Sequence, residues 1–117
     1  MLITKKVGDC MDKEMLKGSV DLLLMSLISQ RDLYGYEITK LLKQFSDNRY
    51  EMSEGTLYPA LKRLERKGWI ESYWSESAAG RRKYYKITDA GQGELEKKQN
   101  DWKLVDQLVR KSSEGLL

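Results

Sequence analysis

The chain has 117 residues, 21 Lys or Arg against 18 Asp or Glu, a formal net charge of +3 at pH 7, one cysteine and no histidine. That length suits a single domain, able to bury roughly two-thirds of its unfolded surface without staples. The lone Cys10 rules out an intramolecular disulfide and a cysteine-based zinc site, and the missing histidine removes the serine triad, the Cys-His pair and the usual catalytic zinc centre. The expectation is therefore a protein that is not an enzyme, with no catalytic residue, no metal and no cofactor, and with a start that is not signal-like and so points to the cytoplasm.

Residues 1–8 carry no pattern. From Met11 to Ile28, Met15, Leu16, Val20, Leu22, Leu23, Leu24, Met25, Leu27 and Ile28 predict one helix buried on several sides. Its apolar run from Leu22 to Ile28, broken only by Ser26, is too short to span a bilayer, so no membrane is expected and the excess apolar surface needs protein partners, a second subunit among the candidates. Arg31-Asp32-Leu33-Tyr34-Gly35 reads as a turn. Tyr36, Ile38, Leu41, Leu42 and Phe45 then predict a second helix that stops at Ser46-Asp47-Asn48. Tyr50-Glu51-Met52 suits a short strand.

Ser53 is a good N-cap for a third helix, with Glu54 placed where its charge suits the dipole. Leu57, Ala60, Leu61 and Leu64 form the inward stripe, which turns Gly55, Tyr58, Pro59, Lys62, Arg63 and Arg66 outward, and Gly68 closes the helix. Pro59 lies beyond the first turn, where the lost backbone bond costs about 3 kcal/mol, so an irregular first turn is expected. Trp69 to Trp74 and Lys83 to Ile87 predict an antiparallel hairpin around a loop at 75–80. Thr88 opens a last helix running to about Lys111, polar in its first half and carrying Trp102, Leu104, Val105, Leu108 and Val109 in its second, which favours a dimer arm. The predicted fold is mainly α with a small β-hairpin: a winged helix-turn-helix domain over 9–88, its N-terminal helix also contributing to the dimer, and a C-terminal dimerisation helix over 89–112.

Charge is segregated within this plan. Residues 56–86 hold eight Lys or Arg against three Asp or Glu, and the rest of the chain holds 13 against 15. A one-sided positive footprint is what a polyanion binder needs, because neutralising phosphates releases condensed counterions. A helix-turn-helix sets the start of its second helix in the major groove. Ser53, Thr56, Tyr58, Pro59, Lys62 and Arg63 are the candidate DNA-facing residues there: Thr56 for a base or phosphate, Tyr58 for the sugar-phosphate backbone or a thymine methyl, Lys62 for guanine or phosphate, and Arg63 for phosphate. An exposed Lys-Arg pair on a short helix is often only solvated, and the basic hairpin that follows is what favours DNA. Arg81, Arg82 and Lys83 beside Gly80 either lie over a narrow minor groove or line adjacent phosphates. A charged tip that keeps a hairpin edge from aggregating is the competing reading, and the clustering of three cations beside Gly80 speaks against it. A winged-helix protein-protein interaction module with an acidic partner and no ligand sensing is the alternative function.

Tyr34-Gly35-Tyr36-Glu37-Ile38, Gly55-Thr56-Leu57-Tyr58-Pro59-Ala60-Leu61-Lys62-Arg63-Leu64-Glu65 and Gly80-Arg81-Arg82-Lys83-Tyr84-Tyr85 resemble, in order and spacing, the signatures of PadR-family transcriptional regulators. The resemblance covers about residues 15–112. It implies a winged helix-turn-helix, a homodimer through the C-terminal helix, a double-stranded DNA operator and, usually, repression of a neighbouring gene. A narrower likeness, through Lys13 to Lys17, Ser72-Tyr73-Trp74 and Asp101 to Asp106, is to the lactococcal multidrug-resistance branch of that family. It implies a ligand site at the dimer interface for a flat aromatic or cationic small molecule. Trp102 and its symmetry mate would be the stacking plates, Asp106 the counter-charge, and Met15, Leu22 and Ser26 the walls. Ordinary interface packing is the competing role for Trp102.

Overall fold

The computed structural model describes residues 16–116, so Met15 and the start of the predicted first helix lie outside the described residues. A 3-10 turn at Lys17–Ser19 leads into α1, Val20–Gln30. The expected continuous helix is therefore broken here. Gly18 stands in the turn with open space around it, since a Cβ at this position would meet nothing within 4 Å. Its effect is the extra backbone entropy a glycine loses in a helix rather than a need for room. Val20, Leu24, Met25, Leu27 and Ile28 are all buried, which makes α1 the central helix, as its apolar run required.

Two further helices and a hairpin pack around α1. After Arg31 turns extended, Leu33–Tyr34 forms β1, and α2 spans Gly35–Phe45. Where a turn was expected, the chain thus holds a two-residue strand. It exists because Leu33 pairs with Tyr85 and Tyr34 with Tyr84 on a later strand, a partnership that no local pattern announces. α2 buries Gly35, Ile38 and Leu42, while Tyr36 is 66% and Phe45 67% exposed. Tyr36 sits two residues from Ile38, about 200° around the helix, and so belongs to the opposite face. At the helix end Asp47 and Asn48 take positive φ, and the Ser46 hydroxyl accepts from the Tyr50 backbone N–H at 3.0 Å. The expected strand at Tyr50 to Met52 is absent: both side chains are buried and Glu51 is exposed, the alternation of a strand, but no neighbouring backbone pairs with it.

α3, Glu54–Arg66, begins as expected at Ser53, whose hydroxyl accepts from the Thr56 backbone N–H at 3.2 Å. The predicted irregular first turn is not seen. The Ser53 carbonyl accepts from Thr56 at 3.1 Å and from Leu57 at 2.9 Å, and α3 continues through Pro59. The carbonyl that Pro59 leaves without a partner belongs to Gly55, which is exposed and open to water. Gly68, at φ 77°, ends the helix in a Schellman turn, with Trp69 N–H donating to the Leu64 carbonyl at 3.1 Å and Gly68 N–H to Glu65 at 3.0 Å.

β2, Ile70–Ser77, and β3, Gly80–Ile87, are longer than the predicted strands because only Ala78 and Ala79 form the turn, with Gly80 at φ 116°. The sheet order is β1-β3-β2, all antiparallel. Thr88 then caps α4, Asp89–Glu114, accepting from the Gly91 backbone at 3.0 Å and donating to the Gly68 carbonyl at 2.6 Å. Gly91 passes so close to the Trp69 carbonyl that an added Cβ would stand 1.9 Å from it. Leu95 is the last buried residue of α4, and the remainder projects beyond the core, giving extents of 58 × 36 × 21 Å.

Candidate nucleic-acid interface

α3 presents Ser53, Thr56, Tyr58, Pro59 and Lys62 on its exposed face. Arg63 is placed differently: its guanidinium reaches across to the Asp21 carboxylate on α1 in a half-buried ion pair. Tyr58 is 46% exposed, but its ring leans on the first residue of α2, and a Cβ at Gly35 would meet the Tyr58 hydroxyl at 2.3 Å. Gly35 is thus the gap that lets α2 and α3 close on one another. Beneath them, Ser72 on β2 donates to the Glu65 carboxylate at 2.6 Å, which ties α3 to the hairpin. Burial first, then the nearby Glu65 and Tyr58, raises the pKa of Tyr85 in the same seam.

Strand alternation divides the hairpin cations. The register pairs Trp74 with Lys83 and Glu76 with Arg81 on the face that continues into the core, and Ser75 with Arg82 on the other. Each cation rests on an aromatic ring: Arg81 on Trp74 at 4.5 Å, Arg82 on Tyr34 at 4.5 Å and Lys83 near Tyr85 at 5.8 Å. On the Arg82 face Tyr73 stacks on Tyr84 at 5.8 Å, and Tyr84 meets Tyr34 edge-on at 5.4 Å. Tyr73 also donates to Asp32, and that hydrogen bond is the main cause of a phenol pKa pushed up to about 12.

A groove of about 410 Å³ lies between the hairpin and the helices, lined by Tyr58, Trp74, Arg81, Arg82 and Lys83 together with Tyr34 to Tyr36 and Tyr85. Tyr58 and all three predicted hairpin cations therefore meet at one surface. Trp74, 56% exposed, was not among the residues expected at the DNA-facing surface. Its signal was there, since a tryptophan near the open end of a strand, in register with a lysine, has no core to enter.

A second depression, about 290 Å³, lies between α1 and α4 and is lined by Gly18, Ser19, Asp21, Leu22, Lys98, Asp101, Trp102 and Val105. Of the residues expected at a ligand site, Leu22 and Trp102 are brought together here. Ser26 and Asp106 do not line it, and Asp106 instead pairs with Arg110 at 3.0 Å. Asp21, Lys98 and Asp101 are the charged lining residues that were not expected at the ligand site. Farther along α4, Leu104, Val105, Leu108 and Val109 are exposed in a single chain. Among the described residues, no helix is long and apolar enough to cross a membrane.

Comparison with known proteins agrees with this architecture. A protein of Lysinibacillus sphaericus that carries no functional name is 36% identical over 104 residues, covering 88% of this chain and 95% of its own. The structure of a transcriptional regulator from Clostridium thermocellum superposes with a TM-score of 0.77 at 39% identity, covering 84% of this chain and 96% of the other. A PadR-like transcriptional regulator from Bacillus cereus gives 0.76 at 35% identity, covering 86% and 97%. The model of the PadR-like family matches residues 23–97, from the middle of α1 through the hairpin into α4. The chain belongs to the PadR-like family of transcriptional regulators, which are not enzymes.

Proposed function

We propose that this chain is a cytoplasmic, homodimeric repressor that reads a two-fold symmetric operator. The observation that carries the reading is the single groove at which Tyr58 of α3 meets Arg81, Arg82 and Lys83 of the hairpin. Residues 9–88 act as the DNA-binding domain. α3 enters the major groove with Ser53, Thr56, Tyr58, Pro59 and Lys62, while Arg63 is held at its edge by Asp21. The hairpin holds flanking phosphates, its arginines pre-oriented by the rings they rest on.

Residues 89–112 form the dimerisation helix. Exposed Trp102, Leu104, Val105, Leu108 and Val109 amount to more apolar surface than one solvated helix carries, and a second copy of α4 would cover it. The cleft beside Trp102 takes a planar aromatic or cationic ligand, with Leu22 as a wall; Ser26 and Asp106, which do not line it in one subunit, would have to reach the ligand from the second. Such a ligand releases DNA by favouring a state in which the α3 helices no longer match grooves about 34–36 Å apart, since equal affinity for both states shifts nothing. The test is a titration of the protein into the duplex upstream of its own gene against a random duplex. Preference for the upstream duplex supports the reading. Equal affinity for both would indicate the protein-protein module instead.

A further inference from the structure

The α1–α4 cleft has a feature that neither its position nor its tryptophan explains. Asp21 lines the cleft and at the same time accepts the guanidinium of Arg63 from α3, 42 residues further along the chain. Among the described residues, the Asp21–Arg63 pair is the one ion pair that joins α1 to α3. The Asp21 side chain is 19% exposed and that of Arg63 40%, so the pair is partly shielded from water and from screening by salt. The other charged residues lining the cleft already have partners away from α3. Lys98 faces Glu94 at 3.6 Å and the Trp69 ring at 5.4 Å, and Asp101 accepts from Lys97 at 3.3 Å. Asp21 alone connects the cleft to the helix proposed to read DNA.

We infer that Asp21 is the carboxylate that recognises a cationic ligand in this cleft, and that it does so in competition with Arg63. The inference rests on the reading of the cleft as a ligand site. A flat cation stacked beside Trp102 draws the Asp21 carboxylate toward itself and weakens its hold on Arg63. α3 then loses its electrostatic tie to α1. Occupancy of the cleft is in this way converted, within one subunit, into a change at the DNA-facing helix. The coupling is reciprocal, so whatever strengthens the Asp21–Arg63 pair weakens cation binding. A neutral aromatic of the same shape gains nothing from Asp21 and leaves the pair intact.

Calorimetric titration of 1-methylquinolinium and of neutral quinoline, both at pH 8, into the intact protein tests this. Asp21→Asn should weaken 1-methylquinolinium several-fold, and Arg63→Met, which frees Asp21, should tighten it several-fold. Arg63→Met added to Asp21→Asn should change nothing further, and Arg63→Lys should fall between wild type and Arg63→Met. Quinoline should bind all of them alike. If both probes bind but 1-methylquinolinium is indifferent to Arg63→Met or to Asp21→Asn, the competition is overturned while the cleft remains a ligand site. If neither probe binds the wild-type protein, the cleft reading fails and the inference fails with it.

Discussion

Removing both wing arginines, Arg81→Ala with Arg82→Ala, should change the salt dependence of DNA binding more than it changes sequence preference. Each guanidinium sits on an aromatic ring at 4.5 Å, at the outer end of the hairpin and outside the core cluster, so the fold should survive their loss. If each arginine neutralises one phosphate, a dimer loses four such contacts. At about 0.9 per contact, the slope of log affinity against log salt should become shallower by about 3.6, so between about 50 and 200 mM salt the wild type should lose roughly 150-fold more affinity than the variant. Fluorescence anisotropy with operator and random duplexes at several salt concentrations reads this directly. Both duplexes should show the same change, because the cations contact backbone. An unchanged slope would refute the assignment of the hairpin to phosphate. A variant that lost only its operator preference would equally refute it.

Lys62→Ala should lower discrimination among operators by about 1–3 kcal/mol while leaving random-duplex affinity nearly unchanged, as competition binding with base-substituted sites would show. Gly35→Ala should lower thermal stability by about 1–3 kcal/mol, because its Cβ would meet the Tyr58 hydroxyl at 2.3 Å, and adding Tyr58→Ala should recover part of that loss. Leu108→Asp on the exposed row of α4 should give a folded monomer by sedimentation with much weaker operator binding. In an absorbance titration of ionising tyrosines, Tyr73 should deprotonate near pH 12, and Asp32→Asn should bring it down toward the usual phenol range. The sign follows from a raised folded pKa: the Tyr73–Asp32 tie is fully present below the unfolded value and is lost as pH rises through about 12.

The elements with local signals were legible in the sequence. Ser53 and Thr88 each cap a helix through a backbone N–H three residues on, and Gly68 closes α3, so those boundaries needed no tertiary information. β1 was not legible, because two residues become a strand only when β3 offers an edge beside them. Tyr50 and Met52 misled in the opposite sense, alternating like a strand while serving only to plug the core. The outward face of α3 and the basic hairpin could be read from spacing and charge. That Arg63 would turn to Asp21, and that alternation would set Arg82 on the opposite face from Arg81 and Lys83, depended on packing and register. Asp21 itself, an acid in a hydrophobic run, gave no hint that it would face both a cleft and another helix.

The central claim is that two α3 helices enter the major groove together while the hairpins hold the flanking backbone. Methylation protection of guanine N7 combined with hydroxyl-radical footprinting, on the duplex upstream of the protein's own gene, tests it most directly. Two blocks of protected major-groove guanines are expected, centred about one helical turn apart on one face of the duplex, each flanked by protected backbone that becomes exposed in the Arg81→Ala, Arg82→Ala variant. Backbone protection with no protected guanine, or a single block without a symmetric mate, would contradict it.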